Sequence, residues 1–182
     1  MNLNDHIKKV LVTEDQINAR CKELGELINK EYDGKETVLL SLLRGSVPFV
    51  TTLAKYITIP VTFDYMKASS YHGGTTSSGN VAVSVMPASN LENKHVIVVE
   101  DIVDTGFTLS TVMKLLSDLK PASLEICTLL DKPEMRKVTD LKVKYIGFEV
   151  PAEFVVGYGL DYNELYRQLP YVGVLKEEIY SK

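Results

Sequence analysis

The sequence has few of the features that mark secreted, membrane or nucleic-acid-binding proteins. Its 182 residues include only two cysteines, and its formal net charge is -4 at neutral pH. No apolar run approaches the length of a membrane span, and the first ten residues, MNLNDHIKKV, lack the apolar region of a signal peptide. An acidic chain does not suit a general binder of anionic surfaces, so we expect a cytoplasmic protein that binds neither nucleic acid nor a membrane.

The two cysteines do not suggest a disulfide or a reactive thiol. Cys21 lies at an apolar position of an amphipathic helix pattern, and Cys127 lies within the strand-like segment ASLEICTLL. Free cysteines at such positions behave as small core side chains in a reducing compartment. We therefore expect two unpaired, buried thiols.

The pattern of apolar residues predicts an α/β protein with a mostly parallel central sheet flanked by helices. The length suits a single domain over residues 1–182, without repeats or a linker. Thr13 and Gln16 form a candidate capping box for a helix that should end at Asp33 and Gly34, and further helices are predicted after Ser46 and after Phe107. The predicted strands are residues 37–43, 61–66, 81–85, 96–99, 124–130, 143–148 and 172–175. Ligands of such sheets bind at the carboxyl ends of the strands.

The most informative segment is HVIVVEDIVDTGFTLSTVMKLL, residues 95–116, which predicts a buried strand that runs into a phosphate-binding loop. Glu100 and Asp101 stand where the apolar part of the strand stops. Residues 104–108, which follow Ile102 and Val103, offer hydroxyls, a glycine and the exposed N–H groups of a helix start, all of which suit a phosphate monoester. Carboxylates would repel that phosphate, so we expect Glu100 and Asp101 to face ribose hydroxyls or a divalent cation.

Asp104 is the candidate catalytic acid or base. It begins the phosphate loop, near the carbon at which a sugar phosphate would react. Its structural alternative is the N-cap of the following helix. The two roles are compatible.

One further segment predicts part of a binding site, and another predicts a polar loop. Arg44 and Gly45 end a strand just before a helix that starts at Ser46, and exposed N–H groups there make an anion site. Arg44 could instead be an ordinary solvated cation. Residues 67–80 are rich in Gly, Ser and Thr and are interpreted as a long mobile loop or a β-ribbon.

Five segments, in order, resemble the hypoxanthine-guanine members of the type I phosphoribosyltransferase family. They are LLRGSVPF (42–49), SSYHGGTTSSG (69–79), VVEDIVDTGFTL (98–109), LLDKP (129–133) and FVVGYGLDYNELYR (154–167). The acidic pair followed by Asp-Thr-Gly could arise by itself in any α/β protein, but the five segments together span nearly the whole chain.

The resemblance implies a fold, a reaction and a set of partners. The fold would carry a small hood built from chain-terminal segments and a flexible loop at residues 67–80. The reaction would be a Mg²⁺-dependent transfer of the 5-phosphoribosyl group from phosphoribosyl pyrophosphate to N9 of a 6-oxopurine, hypoxanthine or guanine, with release of pyrophosphate. The product would be IMP or GMP, made in purine salvage by a homodimer or homotetramer.

The resemblance places one group of residues on the sugar donor. Glu100 and Asp101 would bond the ribose hydroxyls near magnesium, and Asp104 would be the general base beside the ribose. The residues that would cradle the 5-phosphate, mainly through their backbone, are Thr105, Gly106, Phe107 and Thr108.

A second group would contact pyrophosphate: Arg44, Gly45, Ser70, Tyr71 and Arg167. In the family, a Ser-Tyr pair corresponding to Ser70 and Tyr71 closes over the reaction centre and excludes water. The family also carries a non-proline cis peptide bond just before the position of Arg44.

A third group would read the purine. Lys132 would donate to the 6-oxo group, Phe154 would stack on the base, and Val155 would read its edge through the main chain. Asp161 would lie near the purine and reach a second magnesium, which makes Glu100, Asp101 and Asp161 the expected metal-binding residues. A 6-oxopurine is favoured over adenine, because the 6-amino group would leave the lysine donor unpaired.

Two other functions stay open at this point. A nucleotide-sensing regulator can share the fold and bind sugar phosphates without turnover, but Lys132, Asp104 and the Ser70-Tyr71 pair together favour an enzyme. A xanthine- or guanine-preferring transferase of the same fold is the nearer alternative. The order of preference among hypoxanthine, guanine and xanthine is not determined by these residues.

Overall fold

A computed structural model describes residues 2–70 and 81–181 of the chain. The helices are α1 (Glu14–Tyr32), α2 (Val47–Ala54), α3 (Phe107–Ser117) and the single turn α4 (Glu177–Tyr180), with 3-10 helices at Leu3–His6 and Pro133–Met135. The strands are β1 (Ile7–Val12), β2 (Thr37–Leu42), β3 (Val61–Ser70), β4 (Val81–Val85), β5 (His95–Val103), β6 (Ser123–Asp131), β7 (Tyr145–Glu149), β8 (Val155–Val156) and β9 (Val172–Leu175).

The main sheet has six strands in the order β4-β3-β2-β5-β6-β7. All neighbouring pairs are parallel except β3 with β4. The predicted α/β class and mostly parallel sheet are therefore confirmed. Since the carboxyl ends of β2, β5 and β6 lie at one edge, the segments that follow them, from Leu43, Asp104 and Lys132, are brought together there.

The two faces of this sheet bury different helices, because strand residues alternate between faces. On one face, α1 and α2 pack on side chains that include Leu39, Ile97 and Val99. On the other, α3 packs on Val38, Leu40 and their neighbours. The capping box of α1 is confirmed: the Gln16 backbone N–H donates to Thr13 Oγ1 over 3.3 Å, and the Thr13 N–H donates to Gln16 Oε1 over 2.9 Å.

A second sheet, with the order β1-β9-β8, forms the hood. Its strands pair antiparallel, so the start of the chain lies beside its end. This confirms the hood expected from chain-terminal segments. Strands β1 and β8 were not predicted, because β1 carries two exposed lysines in an incomplete alternation and β8 has only two residues.

Two strands are longer than their sequence pattern predicts. β5 continues through both carboxylates and ends at Val103, whereas the predicted strand ends at Val99. β3 continues to Ser70 and pairs with β4 as a ribbon, so residues 67–70 are strand and not loop. Tyr71 and the rest of the predicted flexible loop, 71–80, lie outside the described residues, and Ser70 is described only as part of the β3 backbone.

Both cysteines are free and buried, as expected. Burial raises the pKa of the Cys21 thiol to about 12, which the Lys55 charge only partly counters. Burial also raises the pKa of Cys127. Neither thiol is a ready nucleophile. Among residues 2–70 and 81–181 there is no helix with the length and apolar character needed to cross a membrane.

Candidate active site

A cavity of about 210 Å³ opens at the carboxyl ends of the central strands. Its wall combines the end of β2, the last residues of β5 and the loop that starts α3. The polar residues of the wall are Glu100, Asp104, Thr105 and Thr108. The structure thus brings five of the seven predicted ribose and phosphate residues to one cavity; Asp101 and Phe107 do not line it.

The two carboxylates of Glu100 and Asp101 lie side by side in β5. Burial, followed by the charge of Asp101, raises the pKa of Glu100 well above its usual range. Burial also raises the pKa of Asp101, although a hydrogen bond with Glu100 and the nearby Arg167 charge oppose it. Buried carboxylates are stabilised in their ionised form by a cation or by hydroxyl donors.

The described residues include no group of three or more His, Cys, Asp or Glu side chains that could hold a metal ion. The described residues thus form no single three-residue site, and the assignment of Glu100 and Asp101 to one magnesium and of Asp161 to a second stays a prediction. A pair of carboxylates nevertheless fits Mg²⁺, which is commonly held by one or two carboxylates and the phosphates of a substrate.

The loop from Leu43 to Ser46 packs directly on Asp101. Its Leu43–Arg44 peptide bond is cis, as the resemblance implies. A Cβ atom at Gly45 would lie 1.5 Å from Asp101 Oδ2, so only glycine fits. From the other side, a Cβ atom at Gly159 would lie 1.9 Å from the Gly45 carbonyl oxygen. The loop is held between β5 and the segment after β8.

If the donor is the phosphoribosyl pyrophosphate that the resemblance implies, we expect Gly45→Ala to reduce its kcat/KM on the order of 100-fold, because the new methyl group must displace either the loop or the Asp101 carboxylate. Steady-state kinetics at saturating purine measures this effect. Gly34→Ala is the control, since it strains a positive φ of 70° in open space away from the cavity. Parental kinetics in Gly45→Ala would show that the close packing on Asp101 is unimportant for the donor.

The phosphate loop leads into the amino terminus of α3. Gly106 is the N-cap, with a φ of 86°, and it makes no side-chain capping bond. Asp104 is therefore not the helix cap that the sequence offered as its alternative role. Phe107 is 40% exposed, which agrees with a backbone rather than a side-chain contribution from this position.

Asp104 Oδ1 is buried and has no hydrogen-bond partner within the described part of the chain. An unpaired buried acceptor is costly and is explained when a ligand supplies the donor. Asp104 lines the cavity, so that donor would be a bound molecule.

Lys132 follows β6 and is only 8% exposed. Its Nζ donates to the Glu153 carbonyl oxygen over 2.8 Å, which leaves two ammonium hydrogens for a ligand. Burial lowers the pKa of Lys132, and the nearby Asp104 carboxylate partly counters this effect. The Lys132 backbone N–H also donates to the Val103 carbonyl oxygen over 2.9 Å, which places Lys132 beside the residue that precedes Asp104.

The remaining predicted purine residues lie at the hood. Val155 is buried in β8. The Phe154 ring stacks on Tyr180, with 4.9 Å between centroids, and lies edge-on to Tyr162. One face of Phe154 is therefore covered by Tyr180. Tyr180 was missed in the sequence, where nothing linked the last turn of the chain to a binding site.

Arg44 and Arg167, the two arginines predicted to bind pyrophosphate, both contact Glu164, a residue that sequence reasoning missed. Arg44 Nη2 donates to Glu164 Oε1 over 2.6 Å, and Arg167 Nη2 lies 3.4 Å from Glu164 Oε2. Arg167 also pairs with Asp161 Oδ1 at 2.8 Å. The structure thus groups Arg44, Arg167 and Asp161 but turns Asp161 toward an arginine. Glu164 is separated from Arg44 by 120 residues, and no local pattern announces their contact.

The chain is similar to known phosphoribosyltransferases over almost its whole length. Residues 11–163 match the model of the phosphoribosyl transferase domain. A hypoxanthine-guanine phosphoribosyltransferase of Staphylococcus aureus is 50% identical over 98% of this chain and 99% of its own, and one of Lactococcus lactis is 51% identical over 100% and 98%. A crystal structure of a hypoxanthine phosphoribosyltransferase from Staphylococcus aureus superposes with a TM-score of 0.95 at 50% identity, covering 99% of this chain and 97% of that one.

Proposed function

The chain belongs to the phosphoribosyltransferase family, and we propose that a defined set of its residues carries out the family's reaction on a 6-oxopurine. Its function is hypoxanthine-guanine phosphoribosyl transfer in purine salvage. The reaction joins the 5-phosphoribosyl group of phosphoribosyl pyrophosphate to N9 of the base and releases pyrophosphate.

The observation that carries the assignment is the buried Asp104 Oδ1, which has no partner among the described residues, next to Lys132, whose backbone N–H bonds the carbonyl of the preceding residue, Val103. A 6-oxopurine that bears a proton on N7 presents an N–H donor next to its O6 acceptor. Asp104 can accept the first and Lys132 can donate to the second, so the two side chains read adjacent atoms of one base. The same Asp104 oxygen then takes the N7 proton as N9 bonds to the sugar.

Other residues hold the base and the sugar donor. If the base stacks on Phe154, it uses the face that Tyr180 leaves open. The N–H groups and hydroxyls of residues 105–108 bind the 5-phosphate at the start of α3. Arg44 and Arg167 receive the pyrophosphate, which competes with Glu164 for both guanidinium groups.

Glu100 and Asp101 hold the ribose hydroxyls and the donor's Mg²⁺. Burial raises both pKa values, which supports this role, since a cation or hydroxyl donors replace the water that the buried carboxylates have lost. Mg²⁺ supplies neutralisation of the negative charge that develops on the leaving pyrophosphate.

The direct test of function is pyrophosphate release with hypoxanthine, guanine and xanthine in turn, each with and without excess chelator. We expect release with hypoxanthine and guanine that stops on chelation and returns when Mg²⁺ is restored. A regulator that binds without turnover would release no pyrophosphate with any base. Release that persists in chelator would refute the Mg²⁺ requirement while leaving the transferase assignment intact.

The homodimer or homotetramer suggested by the resemblance stays a prediction. Phe63 and Tyr65 occupy alternate positions of β3 and are 40% and 41% exposed, which provides apolar surface on one face of that strand. Light scattering after size-exclusion chromatography measures the mass of the particle.

A further inference from the structure

An ion pair outside the predicted site lies directly behind the phosphate loop. Asp131 ends β6, and Arg136 follows the 3-10 helix Pro133–Met135. The short turn brings the Arg136 guanidinium onto the Asp131 carboxylate, where the two side chains are 14% and 9% exposed. Neither residue was singled out in the sequence, where a charged pair around a turn is usually solvated.

Arg136 and the next two residues hold main-chain carbonyl groups of the loop. Arg136 Nε donates to the Asp104 carbonyl oxygen over 3.3 Å, and its Nη1 donates to the Leu141 carbonyl oxygen over 3.4 Å. The Lys137 and Val138 N–H groups both donate to the Thr105 carbonyl oxygen, over 3.0 and 3.2 Å.

These contacts matter because an anion-binding loop must present its N–H groups to the phosphate and turn its carbonyl oxygens away. If these peptide groups were flipped, the carbonyl oxygens of Asp104 and Thr105 would face the phosphate and repel it. Residues 136–138 donate hydrogen bonds to both oxygens. The packing is close there as well, since a Cβ atom at Gly106 would lie 3.2 Å from Arg136 Cδ and 3.3 Å from Val138 Cβ.

We propose that the Asp131–Arg136 pair is a positioning device that fixes the carbonyls of Asp104 and Thr105 and thereby aims the Asp104 carboxylate and the loop N–H groups at the substrate. The proposal rests on the proposed phosphate-binding role of residues 105–108. Asp131 neutralises the charge of Arg136, and the guanidinium donates its hydrogen bonds to Asp131 and to two carbonyl oxygens. Arg136 therefore acts through the geometry of its fork and not through its charge.

Two variants of Arg136 and one of Asp131 separate geometry from charge. Arg136→Lys keeps the charge but cannot reach three acceptors at once, whereas Arg136→Met loses both. Asp131→Asn leaves the arginine intact but weakens its anchor, and it is the milder variant if the others fold poorly. We expect all three to weaken binding of GMP while leaving binding of guanosine nearly unchanged. By analogy with outer-shell partners of metal ligands, the loss of GMP affinity is roughly 10- to 100-fold. We also expect kcat to fall, because the Asp104 carboxylate is no longer held in position.

Isothermal titration with GMP and with guanosine, together with kcat, measures this effect. Arg20→Lys is the matched control: Arg20 is a partly buried arginine whose Nε and Nη2 donate to the Ile146 and Gly147 carbonyls of β7. It should lower the melting temperature without changing the ratio of GMP to guanosine affinity. An Arg136→Lys enzyme with parental GMP affinity and kcat would overturn the positioning role.

Tighter GMP binding by Asp131→Asn would also overturn the proposal, since it would show that a freed guanidinium attracts the phosphate. The parent protein tests the underlying phosphate site separately. If the parent binds GMP no better than guanosine, the phosphate-binding role of residues 105–108 is wrong. If the parent prefers GMP and the Arg136 variants keep the same preference and kcat, only the positioning role fails.

Discussion

Asp104→Asn is expected to lower kcat by roughly 100-fold to 10,000-fold, the range of general acid-base contributions, while the affinity for phosphoribosyl pyrophosphate changes little. The amide keeps the size and polarity of the carboxylate but cannot take a proton from N7 of the base. The structure strengthens this expectation, because Asp104 Oδ1 is buried without a partner among the described residues and does not cap α3.

Single-turnover kinetics and calorimetry with the donor separate the two effects. The main chain at position 104, which Arg136 holds through the Asp104 carbonyl oxygen, is unchanged by this substitution. A fall in donor affinity as large as the fall in kcat would point to a displaced loop. Turnover at the parental rate would remove Asp104 from the chemistry altogether.

The second large effect is expected for Lys132→Met, which should weaken binding of the base and of the nucleotide but not of phosphoribosyl pyrophosphate. The lost charged hydrogen bond is worth roughly 1.5 to 3 kcal/mol, which corresponds to about a 10- to 150-fold change in affinity. Methionine occupies the space of the buried lysine chain, but it leaves both O6 of the base and the Glu153 carbonyl oxygen without the lysine donor.

Calorimetry with GMP and with phosphoribosyl pyrophosphate measures the two affinities in the same variant. Lys94→Met is a suitable control, because it removes a lysine paired with Glu36 at 3.0 Å beside the amino-terminal end of β5, the opposite edge of the sheet from the cavity. It should leave both affinities unchanged. If Lys132→Met weakens both ligands equally, the lysine supports the fold and does not read the base.

Most of the site could be predicted because its residues are close together in sequence. Glu100, Asp101 and the loop at 104–108 belong to one strand-loop-helix unit, and their order along the chain already places them at one end of a strand. Lys132 was assigned only through the resemblance, and the structure places it after the neighbouring parallel strand, whose end lies beside that of β5. What the local pattern did not reveal was how far β5 runs, because Ile102 and Val103 continue the sheet after two charged residues.

Residues that act through distant contacts were harder to predict. Glu164 reaches Arg44 across 120 positions, and the Phe154 ring meets Tyr180 only because α4 returns to the hood. Arg136 lies four residues from Lys132, yet its contact with Asp104 spans 32 positions. No periodicity or turn signal carries information about such pairs.

By itself, the sequence determined the α/β class, the capped first helix, the buried thiols and the strand that leads into a phosphate loop. Each of these depends on interactions among residues within a few positions of each other, or on the burial of a single face. The tertiary structure alone decided the pairing of β1 with β9, the packing of Gly45 on Asp101 and the support of the phosphate loop by Asp131 and Arg136. These features require segments far apart in the chain to meet, and their geometry is set by the packing of the whole sheet with its helices and hood.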